Sequence, residues 1–270
     1  MFIAEPPRTQ YDLHFQFAGF DVRVSPLFWV AGAVLGWDMA DYYDEVFRDA
    51  SPGQGVFLLI WIGSMFVSIL LHELGHALTM RRYGMNAYIV LYHFGGVAVA
   101  DSMSSFMSGR MSRSGNQIAI SAAGPGIQLL LSAAIILAVK STGHGVPFVL
   151  PFVGDPLQLT EGLPLQPASL WVFVSNMLYI NIMWALLNLL PVYPLDGGQI
   201  ARELLSRHSQ DGIRNSLMLS VATGGAIAVM GFMGGNFILG LMFAMLAFSS
   251  YQILQAYHGR GGGFGGGSPW

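Results

Sequence analysis

No cysteine occurs anywhere in the chain. No disulfide can staple the fold, and any metal would have to be held by histidine, aspartate or glutamate. Charge is nearly as scarce: 10% of the 270 residues are charged and 53% are hydrophobic, whereas a soluble domain carries about 25% charged residues. So little charge cannot solvate the surface around one core, which points to an integral membrane protein. Nor is there an excess of basic residues. The net charge of -3 argues against the basic face of a nucleic-acid binder, so no nucleic-acid partner is expected. The N-terminus, MFIAEPPRTQYDLHF, lacks a basic segment followed by an apolar one, so no cleavable signal peptide is expected. The chain contains no internal repeat.

What it does contain is long apolar stretches. A helix crossing the hydrocarbon core needs about 20 mostly apolar residues. Six stretches qualify, at roughly 24–40, 55–80, 117–139, 169–190, 215–233 and 236–257. The first is the weakest, a short apolar run between Pro26 and Trp37. The last two are separated by Gly234 and Gly235, which suits a tight helical hairpin. The third contains Gly124-Pro125-Gly126, which a membrane helix tolerates when its neighbours satisfy the freed backbone groups.

With six crossings, Arg8, Arg23, Arg81, Arg82, Arg110, Arg113, Arg202, Arg207, Arg214 and Arg260 share one side, and only Arg48 and Lys140 face the other. The richer side is expected to be cytoplasmic, with both termini on it. Residues 86–100, NAYIVLYHFGGVAVA, are β-branched, aromatic and bent at Gly95-Gly96, so they predict a small hairpin beside the membrane. Residues 143–168, rich in glycine and proline, read as an irregular outer loop. The Gly-rich tail at 259–270 reads as disordered. The expected fold is an all-α polytopic membrane protein of about six transmembrane helices with a small membrane-associated β-hairpin. Its single domain spans 1–258, with a core at 55–205.

Chemistry enters at the end of the second span, in His72-Glu73-Leu74-Gly75-His76. Residues four apart lie one above the other on a helix. Two imidazoles so placed can grip one zinc ion, and the glutamate beside the first can take a proton from water on that metal. The pattern also occurs by chance, and a His-Glu pair can bridge helices structurally. Three ionisable residues inside an apolar span are costly, however, and by default indicate function.

A third protein ligand would leave the fourth position for water. Asp196, after Pro191 and Pro194 and before Gly197-Gly198, has the most plausible depth among the acidic residues. Its bland alternative is a helix N-cap.

HELGHA at 72–77, SAAGP at 121–125 and NLLPVYPLDGG at 188–198 together resemble the site-2 protease family of intramembrane zinc metalloproteases, peptidase family M50. The resemblance implies one zinc ion on His72, His76 and Asp196, with Glu73 as general base. It implies that Asn188 helps to hold substrate or the tetrahedral oxyanion. It also implies that FGGVA at 94–98, with Gly95 and Gly96, is a β element that can pair with an unwound substrate strand. The family often has an asparagine a few residues after Ala-Gly-Pro, and this chain has Gln128 instead. Residues 81–116 are too few for the PDZ domain that some relatives insert, so a regulatory partner would be a separate molecule.

The expected activity is hydrolysis of a peptide bond in or near a transmembrane segment of a membrane protein, by water that Glu73 activates on zinc. The expected location is a bacterial plasma membrane, among its lipids. One alternative is a membrane-anchored zinc protease that cuts soluble or misfolded chains, with Glu203 as third ligand. Another is a zinc-binding transporter, although a transporter should carry polar residues on several spans.

Overall fold

A computed structural model describes residues 7–93, 95–100, 114–148, 155 and 157–260. The elements in chain order are β1 (Leu13–Phe17), β2 (Phe20–Val24), α1 (Pro26–Phe47), α2 (Gln54–Arg82), β3 (Ala87–Tyr92) and β4 (Gly95–Ala100). They are followed by α3 (Ser114–Ser141), α4 (Ala168–Asn188), α5 (Asp196–His208), α6 (Gly212–Met233) and α7 (Phe237–Arg260). Phe94, Arg110, Arg113, residues 149–154 and 156 of the expected outer loop, and 261–270 of the expected tail lie outside the described residues.

Among the described residues, five helices are long and apolar enough to cross a membrane: α2, α3 from Gly115, α4, α6, and α7 as far as Tyr257. They coincide with the last five of the six expected spans. The first expected span becomes α1, a 22-residue helix that opens on Pro26 at its first position, where a missing N–H costs nothing. Its later turns carry Asp38, Asp41, Asp44 and Glu45, and this acidity separates it from the other five.

The chain divides into two compact units. One contains the four strands, α1, α2, α3 from Ala123 onward, and α4 as far as Leu186. Its sheet has the order β1-β2-β3-β4. β1 and β2 pair antiparallel, β2 and β3 parallel, and β3 and β4 antiparallel, with Ala87 opposite Ala100 and Tyr92 opposite Gly95. The hairpin expected at 86–100 is therefore present, but it is half of a larger sheet.

The other hairpin turns through Ala18 (φ 50°) and Gly19 (φ 78°), a two-residue turn with both central residues left-handed, as the twist of paired strands favours. β2 and β3 are the inner strands, and β3 is buried from Ile89 to Tyr92. Ile89 and Leu91 of β3 join Val22, Val24, Phe28, Trp61, Met65, Ile69 and Leu74 in one apolar cluster, so the sheet is pinned against α1 and α2. At the far end of α2, Arg81 complements the helix C-terminus. Its guanidinium lies 4.4 Å from the Phe20 ring centroid, and its Nη1 donates to the Ala18 carbonyl at 3.3 Å. Arg81 thus clasps the first hairpin.

Asp12 and Arg23 tie the first hairpin together at 2.8 Å. Burial works against the Asp12 charge, but hydrogen bonds from Thr9 and Arg23 overcome it and hold the carboxyl down to about 2, against 3.8 ordinarily. A lowered folded-state value means that the pair stabilises the fold above the unfolded value and stops doing so as pH falls through the folded one. The stability advantage over Asp12→Asn should be on the order of 1 kcal/mol at neutral pH, after solvent screening. It should shrink between about pH 4 and pH 2, which thermal unfolding in detergent at several pH values would show. A constant difference across that range would contradict the assignment.

The second unit contains the first turns of α3, then α5, α6 and α7. α6 and α7 form the expected helical hairpin, turned by Gly234 and Gly235 (φ 77°) and capped by Asn236, whose Oδ1 accepts from the Leu239 N–H at 3.1 Å. The two helices meet through small residues. A Cβ on Gly231 would sit 2.7 Å from the Gly240 nitrogen, and one on Gly224 would sit 3.2 Å from the Ala247 Cβ. Membrane helices gain most of their attraction from such close backbone approach.

Candidate metal centre

His72, Glu73 and His76 lie on α2 and are all buried. The helix delivers both imidazoles to one face, one turn apart, with their Nε2 atoms 3.1 Å from each other and their rings edge to face at 4.8 Å. Two unprotonated nitrogens this close repel unless a proton or a cation lies between them. Side chains that converge in this way suit a shared metal ion.

The space around the pair is cleared by glycines. A Cβ on Gly124 would sit 2.4 Å from His76 Nε2 and 2.8 Å from His72 Nε2. A Cβ on Gly75 would sit 2.6 Å from the Ala123 carbonyl oxygen and 3.2 Å from the Gly124 Cα. α2 and α3 therefore touch backbone to backbone at the two histidines. SAAGP supplies the α3 side of this contact: α3 runs on through Pro125, and Gly124 sets no side chain against the imidazole nitrogens.

Glu73 faces the sheet instead. A Cβ on Gly96 would sit 2.5 Å from Glu73 Cγ and 2.7 Å from its Oε1, so the carboxylate packs against the bare backbone at the start of β4. Tyr92, which ends β3, has its hydroxyl pKa pushed up by burial and then by the Glu73 charge. Gly95 (φ 119°) opens β4 in a left-handed conformation that only glycine adopts readily. A Cβ there would sit 2.8 Å from Trp184 Cζ2.

Asp196 is buried and is the first residue of α5. The N-cap of that helix is Leu195, so Asp196 is not a capping residue. As the first helical residue it sits where the helix dipole favours a negative charge. The backbone around it is as crowded as the two glycines suggested: a Cβ on Gly197 would sit 2.1 Å from the Leu189 carbonyl oxygen, and one on Gly198 2.5 Å from the Tyr193 nitrogen.

His72, His76 and Asp196 are a donor set that could hold a metal ion, each offering one ligand atom. Two imidazoles and a carboxylate are a fitting donor set for a borderline-soft divalent cation in a chain without thiols. Asn188 is the last residue of α4. His93 is exposed at the turn before β4 and is not part of the group. Glu203 lies seven residues further along α5 and is also outside it.

Sequence reasoning passed over one residue of the site. Gln128, noted only as a departure from the family's asparagine, is fully buried and its Oε1 lies 2.9 Å from His72 Nδ1. The available signal was a polar amide four residues after Gly124 in an otherwise apolar helix, which has to find a partner.

Residues 60–230 match peptidase family M50. Over 204 residues the chain is 27% identical to a zinc metalloprotease of Methanocaldococcus jannaschii, a match that takes in 74% of this chain and 50% of that protein. The chain thus spans about half the length of this curated relative. Its fold is similar to that of the site-2 protease from Methanocaldococcus jannaschii, with a TM-score of 0.51 and 22% sequence identity over 90% of this chain and 95% of that one. Both the family match and the five apolar helices make this an integral membrane protein, and the chain belongs to peptidase family M50.

Proposed function

We propose that the chain is an intramembrane zinc metalloprotease that hydrolyses a peptide bond in or near a transmembrane segment of a membrane-protein substrate. The observation that supports it is a buried imidazole pair, Nε2 to Nε2 at 3.1 Å, with a carboxylate at the adjacent residue, all inside an apolar helix. Ionisable groups are costly at that depth, so a merely structural role is poorly matched to them.

His72, His76 and Asp196 would hold one zinc ion. When bound, zinc acts as a Lewis acid and brings the pKa of a water to about 7. The remaining work belongs to the chain. Glu73 takes the proton of the attacking water onto its carboxylate and later returns it to the leaving amine. The Gly96 backbone fixes where that carboxylate sits. Asn188 donates its amide N–H to the substrate or to the oxyanion that develops on its carbonyl.

β4 lies at the edge of the sheet. A substrate helix must open before its peptide bond can be attacked, and an edge strand can pair with the freed backbone groups. A strand added beside Gly95 and Gly96 would run past the Glu73 carboxylate.

We also place the protein in a bacterial plasma membrane, in contact with its lipids, with both termini cytoplasmic. We treat residues 1–258 as one membrane domain and any regulator as a separate molecule.

Zinc content of two variants separates this reading from a surface protease with another third ligand. Asp196→Ala should lose the single equivalent of zinc, and Glu203→Ala should keep it. The reverse result would overturn the ligand set.

A further inference from the structure

Gln128 is tied at both ends. Its Oε1 faces His72 Nδ1 at 2.9 Å, and its Nε2 donates to the Ser68 carbonyl at 3.3 Å. Gln128 and Ser68 are both fully buried. A backbone carbonyl only accepts, so it selects the NH₂ end of the amide and turns the oxygen towards the imidazole. An amide oxygen also only accepts. His72 must therefore carry its ring proton on Nδ1, which directs the Nε2 lone pair to the side of His76.

The partners of Gln128 are themselves held. Ser132 Oγ donates to the Gln128 backbone carbonyl at 2.9 Å, and Asn181 Nδ2 donates to Ser68 Oγ at 2.9 Å and to the Met177 carbonyl at 2.7 Å. The series Asn181, Ser68, Gln128, His72 links α4, α2 and α3 inside one unit.

We infer that Gln128 is a positioning residue for the metal centre: it fixes the tautomer and the ring plane of His72 so that Nε2 is the ligating atom. The inference rests on the reading of His72 as a ligand. Partners that accept from the distal N–H of a ligating histidine orient the ring and raise its basicity, and losing one typically costs 10- to 100-fold in metal affinity.

The test uses the full chain purified in detergent. Zinc affinity is measured by chelator competition, and the ligand field by the visible bands of cobalt(II) bound to the same protein. Gln128→Met keeps the length of the side chain but removes the acceptor. It should bind zinc roughly 10- to 100-fold more weakly and shift the cobalt bands. Gln128→Glu keeps the acceptor for the His72 Nδ1–H but loses the N–H that meets the Ser68 carbonyl, so it should bind zinc more tightly than Gln128→Met and more weakly than wild type.

Wild-type affinity with unchanged cobalt bands in Gln128→Met would overturn the inference. So would equal losses in the Met and Glu variants, since that would mark a packing effect. If Gln128→Met does not fold, Gln128→Asn serves, with its amide one methylene short of His72. About tenfold weaker binding is then expected, and wild-type binding would overturn the inference. His72→Ala is the control for the underlying reading. Undiminished zinc in that variant would remove His72 from the ligand set and the role of Gln128 with it.

Discussion

Glu73→Gln is expected to lower peptide-bond hydrolysis by at least 10²- to 10⁴-fold, the usual contribution of a general base, while leaving the bound zinc in place. Glutamine has the shape of glutamate, so its side chain still fits against the bare backbone of Gly96, where a Cβ would lie 2.5 Å from Glu73 Cγ. Only the basic carboxylate is lost. Nothing in the variant should disturb the 3.1 Å approach of His72 and His76 on the same helix, so metal stoichiometry and thermal stability should match wild type. The assay is cleavage of a model single-span substrate in proteoliposomes, with zinc measured on the same preparation. Full activity in Glu73→Gln would end the assignment of the base.

The second large effect concerns a residue that carries no functional group. Gly124→Ala should weaken zinc binding sharply, because the new methyl would lie 2.4 Å from His76 Nε2, 2.7 Å from its Cε1 and 2.8 Å from His72 Nε2. Those are the atoms that would face the ion. Overpacking of this kind costs about 1–3 kcal/mol, or roughly 10- to 100-fold in affinity. The clash falls on ring atoms rather than on backbone, so the helices can still assemble and the variant should elute as a folded protein in detergent. Gly126→Ala, two residues on, is the internal control, since a Cβ there meets nothing within 4 Å. It should keep both zinc and activity. A Gly124→Ala protein with wild-type zinc affinity, measured by chelator competition, would show that the ion sits elsewhere.

The parts of this structure that could be read from sequence are those governed by local geometry. Four-residue spacing on a helix brings His72 and His76 together whatever surrounds them, and five long apolar runs become five helices without tertiary help. Asp196 was reached differently, through its depth and through the resemblance carried by NLLPVYPLDGG, because no local rule places a carboxylate beside residues more than a hundred positions away.

The first hairpin was invisible for a related reason. Leu13 and Phe17 are exposed and the strands are five residues each, so the alternation is short. What stabilises β2 is parallel pairing with β3, Val22 opposite Ile89 and Val24 opposite Leu91, a partner that lies beyond two helices in the chain. The expected first span, 24–40, overlaps this hairpin at Val24 and stops before Asp41, Asp44 and Glu45 of α1. Gly124 and Gln128 could be seen as motif positions, but their work depends on imidazoles contributed by another helix.

The backbone contact at Gly75, Ala123 and Gly124 bears on how such a protein must move. With a carbonyl and a Cα packed where side chains would ordinarily interdigitate, α2 and α3 have no soft layer along which to slide. Separating them would also pull Gln128 from His72. This crossing therefore behaves as a rivet, and any breathing that would admit a polypeptide to the imidazole pair has to leave it fastened.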